Sequence, residues 1–149
     1  MINSKFRCSI VESVRRWIGT PYVHQASTLG HGADCLGLIR GVWREIVGEE
    51  PENVPNYLPN WGQVSGDETL LNAADRWFER ISSKEAMMGD LLLFRWKNSG
   101  VAGHAAILTD ADRFVHAYEK AGVVETALGN HWRRRIAAAY RFPQADGVR

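Results

Sequence analysis

Apolar positions recur at helical spacing through the first half of the chain and at strand spacing through the second. Ile10, Val14 and Trp17 share a face of a segment from Ser4 to Ile18, with Asn3 or Ser4 placed to cap it. Gly19-Thr20-Pro21 stops that helix, because Pro21 biases Thr20 towards extended backbone. Ile39, Val42 and Ile46 repeat the spacing behind Cys35, which predicts a second helix to about Val47, ended by Gly48. Asp67 stands as the cap of a third helix, whose Leu70, Leu71, Ala74, Trp77, Phe78 and Ile81 form an apolar face. Between these two, Glu49 to Ser65 holds Pro51, Pro55 and Pro59 with Tyr57 and Trp61, the composition of an ordered but irregular excursion.

After Gly89-Asp90 the period changes. Leu91 to Trp96 is short and almost wholly apolar, which predicts a buried strand. His104 to Thr109 and Arg113 to Tyr118 predict a hairpin around Asp110-Ala111-Asp112. Val123 to Glu125 and Ile136 to Phe142 predict two more strands. Helices first and strands second predict an α+β fold: N-terminal helices, one of them carrying Cys35, packed on a C-terminal antiparallel sheet. No repeat, low-complexity tract or long linker divides the chain, so residues 1–149 are expected to form a single domain.

Composition narrows the function. A chain of 149 residues with 45% hydrophobic and 23% charged content suits one globular domain with a core. A net charge of +1 gives no nucleic-acid footprint. The only tight basic run, Arg133-Arg134-Arg135, is expected to be a solvated strand edge. No apolar stretch reaches membrane length, and residues 1–7 lack the start of a signal peptide. The chain is therefore expected to be made as a soluble cytoplasmic protein.

Cys35 is the first candidate for chemistry. It follows a glycine-rich loop and opens an apolar-periodic helix, with Asp34 just before it as a cap. A thiol at a helix N-terminus feels the positive end of the peptide dipoles, which favours thiolate. Gly30, Gly32 and Gly37 around it suit close backbone approach, which a merely buried cysteine does not require. The other cysteine, Cys8, lies off the apolar stripe of the first helix, and two cysteines make no disulfide framework. Far downstream, His104 and His116 sit in adjacent predicted strands. For them to share a face, the strands must pair across an odd-length loop or a bulge, and the Asp110–Asp112 turn can supply one. One imidazole then touches Cys35 while the second orients the first: nucleophile, base and orienter. Five histidines (24, 31, 104, 116 and 131) also raise metal binding, with His31, Cys35 and His104 as a conceivable set. No HExxH or paired C-x-x-C spacing supports it, so neither metal nor cofactor is expected. A serine nucleophile has no G-x-S-x-G elbow to sit on.

Five motifs in order carry a resemblance: Gly19-Thr20-Pro21-Tyr22, Asp34-Cys35-x-Gly37, Gly89-Asp90-Leu91-Leu92-Leu93-Phe94, Gly103-His104-Ala105-Ala106-Ile107 and Phe114-Val115-His116-Ala117. Together they resemble the NlpC-type cell-wall peptidases. Tyr22-Val23-His24-Gln25-Ala26-Ser27, the stretch Leu36 to Arg44, and Trp132-Arg133-Arg134-Arg135-Ile136 resemble the branch carried by tailed phages and gene transfer agents. The resemblance implies a papain-like fold, with Cys35 as nucleophile, His104 as base and His116 as its orienter. Tyr22 would set its hydroxyl beside the thiol, and with His24 and Asp34 would bind substrate or stabilise the oxyanion.

The implied substrate is the stem peptide of peptidoglycan, commonly cut between D-γ-glutamate and the following diamino acid. The implied setting is a virion-like tail acting at the cell wall or periplasm. Partners would be hub or baseplate proteins docked through Glu49 to Ser65 or Gln144 to Arg149, with no nucleic acid and no membrane insertion. Two departures flank the pocket: Leu36 stands where the family often has Ser, and Val23, His24 and Gln25 replace the usual small glycine pair. The alternatives are a non-catalytic tail-tip subunit that keeps the fold, and an amidase or acyltransferase using the same nucleophile.

Overall fold

A computed structural model describes residues 3–51, 67–97 and 100–144 of the chain. Most of the Pro-rich excursion, with Tyr57 and Trp61, lies outside the described residues, as does 145–149 of the second expected docking segment.

The first helix, α1 (Ser4–Arg16), starts where Asn3 accepts a hydrogen bond from the Phe6 N–H at 2.8 Å. Its buried stripe of Phe6, Ile10 and Val14 continues into Trp17. Two short strands, β1 (Ser27–Thr28) and β2 (Gly32–Ala33), pair antiparallel in the loop that leads to α2 (Cys35–Ile46). Helices α1 and α2 approach closely at Gly41, where an added β-carbon would stand 2.0 Å from the Trp17 ring. Arg7 and Asp90, both buried, form an ion pair at 2.8 Å that ties α1 to the start of the sheet. Arg16 and Glu45 pair across the exposed side of α1 and α2.

The third helix, α3 (Thr69–Trp77), departs from expectation at both ends. Glu68, not Asp67, occupies the cap position, and its side chain makes no cap bond. Its carboxylate instead accepts from the Ala102 N–H at 2.9 Å and lies 3.6 Å from Arg95, because those sheet-end donors compete with the helix for it. At the other end Phe78 is extended and Glu79–Ile81 forms a strand, β3. Phe78 and Ile81 therefore leave the helical face. Edge-to-face packing of Phe78 against Trp43 (5.3 Å) and Phe142 (4.9 Å) overrides the local apolar period.

The rest of the sheet is β4 (Leu91–Arg95), β5 (Ala102–Asp110), β6 (Arg113–Tyr118), β7 (Gly122–Ala127) and β8 (Ile136–Arg141), all paired antiparallel in the order β3-β8-β4-β5-β6-β7. This is the expected α+β architecture, helices first and an antiparallel sheet after. Strand β4 is central and apolar on both faces. Leu91 and Leu93 join the core under the helices. Leu92 and Phe94 join a second cluster with Ala106, Leu108, Phe114, Leu128 and Ala139, covered by Trp132 and Ile136. That second cluster explains why Leu91 to Phe94 does not alternate.

A short helix not expected from the sequence, α4 (Asn130–Arg133), brings Trp132 over this second face. The basic run is thus a helix end, not a strand edge. Arg133 donates to the Leu128 carbonyl (3.1 Å) and to Asp112 (3.0 Å), and Arg135 donates to the Trp96 carbonyl (3.1 Å). These bonds satisfy carbonyls that the sheet leaves open and fasten α4 in place. Among the described residues no helix is long and apolar enough to cross a membrane.

Candidate active site

Cys35 is the first residue of α2 and is 4% exposed. Asp34 makes the helix begin there: its Oδ1 accepts from the Gly37 N–H at 2.7 Å. Its Oδ2 accepts from the Gln25 N–H, also at 2.7 Å, in a residue held at φ 65°. One buried carboxylate therefore caps the helix and anchors the loop in front of it. Ser27 adds a bond from its hydroxyl to the Gly37 carbonyl at 2.6 Å. Gly37 is required by this closeness, since a β-carbon there would lie 1.8 Å from the Ala26 carbonyl oxygen. Gly32 is crowded in the same way by Val23, whereas Gly30 faces open space and serves the turn instead, at φ +79°.

The clamped loop carries Tyr22. Pro21 and Val23 exchange backbone hydrogen bonds with Ala33, and Thr20 accepts from the Val123 N–H on β7. Tyr22 is thus held between the start of α2 and the β6–β7 hairpin. Burial first, and then the neighbouring Cys35, Asp34 and Glu119 side chains, raises the Tyr22 hydroxyl far above its ordinary range. It stays protonated and available as a donor.

Cys35 and Tyr22 line a cleft of about 230 Å³ with Trp96, Gly103, His104, Ala117 and the Tyr118–Lys120 turn. His104 is 3% exposed and His116 1%. Their imidazoles meet directly, His104 Nε2 to His116 Nδ1 at 2.7 Å, and His116 Nε2 lies 2.9 Å from Thr126 Oγ1. The register shift between Leu108 and Asp110 makes this possible, because it sets His104 and His116 on one face of β5 and β6. A second bulge, between the pairs Phe94↔His104 and Arg95↔Ala102, leaves Gly103 as an extra residue beside His104. The rings are boxed by aromatics: Trp96 is 4.7 Å from His104, and Phe114 and Trp132 are 4.7 and 5.3 Å from His116. Burial pushes His116 down to about 4. Burial, and then the neighbouring His116, holds His104 well below the usual histidine range. Both rings are neutral near pH 7, and a neutral imidazole keeps one nitrogen free to accept a proton.

Of the residues singled out from sequence, Tyr22, Cys35 and His104 meet at the cleft and His116 stands behind His104. Asp34 and His24 do not line it. Both Asp34 oxygens accept from backbone donors, so Asp34 shapes the start of α2 and the loop before it; His24 Nδ1 lies 3.7 Å from Asp34 Oδ2. Sequence reasoning missed Trp96, Tyr118, Trp132 and Thr126. Tyr118 was within reach, two residues beyond His116 on the same strand face. Thr126 becomes visible only once β6 and β7 are joined by the loop 119–121, which pairs Phe114 with Thr126.

A family model described as the NlpC/P60 family matches residues 19–141. A gamma-DL-glutamyl hydrolase of Bacillus subtilis is 26% identical over 136 residues, covering 89% of this chain and 29% of its own length. A probable endopeptidase NlpC of Escherichia coli is 26% identical over 132 residues, covering 88% of this chain and 75% of its own. The chain thus spans under a third of the Bacillus relative. A lipoprotein-like NLP/P60 family structure from Staphylococcus aureus superposes with a TM-score of 0.63 at 23% identity, over 97% of this chain and 43% of that one, and so shares the fold.

Proposed function

The chain belongs to the NlpC/P60 family, and we propose that it is a cysteine endopeptidase of peptidoglycan, with residues 1–149 forming one peptidase domain. The bond cut is the one between D-γ-glutamate and the diamino acid of the stem peptide. One observation carries this reading: Cys35 and His104 open on the same cleft, and His104 is held from behind by His116. The Bacillus relative, named for hydrolysis of γ-DL-glutamyl bonds, supports the choice of bond.

The chemistry follows from the groups present. His104 takes the proton of the Cys35 thiol, and the sulfur attacks the carbonyl carbon of the scissile amide. Charge developing on the carbonyl oxygen is met by the N-terminus of α2 and by the protonated Tyr22 hydroxyl. His104 then gives its proton to the departing amine, leaving a thioester that water hydrolyses with His104 again as base. His116 accepts the far N–H of His104 throughout and fixes its ring. Trp96 and Tyr118 wall the cleft beside the pair.

Delivery on a virion-like tail is part of the proposal. The likeness of Tyr22–Ser27, Leu36–Arg44 and Trp132–Ile136 to tail-borne enzymes supports it, with a hub or baseplate protein as partner. Incubation with purified peptidoglycan followed by mass analysis tests the activity. Fragments with a new amino group on the diamino acid are expected. No release would favour a non-catalytic tail subunit. Purified particles should carry the chain at low, fixed copy number; activity found only in lysed-cell supernatant would make it a lysis enzyme.

A further inference from the structure

We propose that Thr126 is a positioning residue that sets the proton order of the two histidines and so keeps His104 able to accept the thiol proton. The proposal rests on the reading of Cys35 and His104 as nucleophile and base.

The three groups form one chain of contacts, His104 Nε2 to His116 Nδ1 at 2.7 Å and His116 Nε2 to Thr126 Oγ1 at 2.9 Å. Two neutral imidazoles carry two N–H protons on four nitrogens, and each contact holds one proton. Only two arrangements satisfy both contacts. In the first, Thr126 accepts from His116 Nε2–H, His116 Nδ1 is bare and accepts from His104 Nε2–H, and His104 Nδ1 is bare. In the second, Thr126 donates, every proton moves one place along, and His104 Nδ1 carries a hydrogen. Only the first leaves His104 a base on the nitrogen not engaged by His116.

Two features favour the first arrangement. Thr126 is half-buried at the open end of the chain, so its own O–H can turn to solvent while a lone pair faces His116. His116 is 1% exposed, so its Nε2–H has no such freedom and needs Thr126 as acceptor. The same order serves turnover. Once His104 carries both protons, its Nε2–H needs a bare Nδ1 on His116, which again puts the one His116 proton on Nε2 against Thr126. Burial of both rings, which disfavours a charge on either at rest, keeps the pair in this two-proton regime.

Thr126→Val removes the hydroxyl with little change of shape and leaves His116 Nε2 without a partner. A buried unpaired N–H costs more than a bare ring nitrogen, so the protons should shift to the order of the second arrangement, with His116 Nε2 bare. Nitrogen-15 NMR of the histidine rings reads this directly: His104 protonated at Nε2 in the wild type should become protonated at Nδ1 in Thr126→Val. Alkylation of Cys35 by iodoacetamide should slow by roughly tenfold or more, in the range that loss of a general base gives. Thr126→Ser restores the hydroxyl and should recover both readouts, which separates tautomer control from packing. If Thr126→Val does not fold, Thr126→Ala serves, since it also lacks the acceptor. Unchanged His104 ring shifts and a labelling rate within twofold of wild type would overturn the proposal. A wild type that releases nothing from peptidoglycan would overturn the peptidase reading instead, while the ring shifts still decide the role of Thr126.

Discussion

Leu108 pairs with Phe114, and this register fixes where two imidazoles twelve residues apart come to lie. At the hairpin end Asp110 pairs with Arg113, a register that would put His104 and His116 on opposite faces of the sheet. The shift at Thr109 changes it by one. Even-numbered residues of both strands then share a face, and the histidines become diagonal neighbours.

From this diagonal contact the two histidines should differ in severity. His104 lines the cleft and His116 does not. We predict that His104→Ala lowers the rate on peptidoglycan by about 10³-fold or more, and His116→Ala by about 10²-fold, with His116→Asn or Gln partly active. Equal losses from His104→Ala and His116→Ala would show that the second ring does more than orient the first.

Cys35→Ser should keep the fold and abolish hydrolysis, because Ser is nearly isosteric and Cys35 contributes only one small side chain to the core. Cys8 is exposed on α1, and Cys8→Ser should leave both rate and melting temperature within error. Activity on purified peptidoglycan, with thermal unfolding as the control, checks the pair.

Acid should destabilise the protein in a defined window. The His116 pKa falls from an ordinary 6.5 to about 4 on folding, and His104 is lowered in the same direction. The folded state therefore binds fewer protons than the unfolded one between these values. The contribution is complete above about pH 6.5 and is lost as pH falls towards 4, at a slope of up to about 1.4 kcal/mol per pH unit for each ring and about 3 kcal/mol in total for His116. The lowered carboxyls of Glu50 and Glu125 act the same way only below about 4.5, so the upper part of the window reports the histidines. Urea unfolding at pH 7.5 and pH 5 should show the loss, and His116→Gln should flatten it.

Much of this site is legible in the sequence, and the reasons for the rest are physical. Helical spacing behind Cys35 and strand alternation around His104 and His116 locate the thiol and both rings, because burial enforces those periods. The two bulges are not written in any period. Thr109 and Gly103 become extra residues only because neighbouring strands pair there. Trp132 is hidden for a similar reason: four residues of α4, held by Arg133 and Arg135 on distant carbonyls, carry it across the sheet. Asp34 has a part that its place beside Cys35 does not reveal. Its two oxygens accept from the Gly37 and Gln25 N–H groups, and the second of these partners is set by the loop and not by the helix.

The clamp between the Tyr22 loop and α2 yields the last prediction. Gly37 sits in the first turn of the helix, where its N–H meets Asp34, its carbonyl meets Ser27, and the Ala26 carbonyl crosses its α-carbon. A β-carbon at 1.8 Å from that oxygen cannot be relieved by a side-chain rotation, because the neighbour is backbone. Gly37→Ala must therefore push the loop away from the helix. We predict a loss of about 3 kcal/mol or more, at the upper end of overpacking costs. Asp34→Ala removes the cap and the Gln25 anchor but adds no bulk, and should cost less, about 1–2 kcal/mol. Both should lower activity by more than their stability loss explains, since Tyr22 rides on the loop they release. Denaturant unfolding and the rate on peptidoglycan at a temperature where each variant stays folded measure the two effects separately. A Gly37→Ala variant with wild-type stability would mean that the loop does not rest on α2 as described.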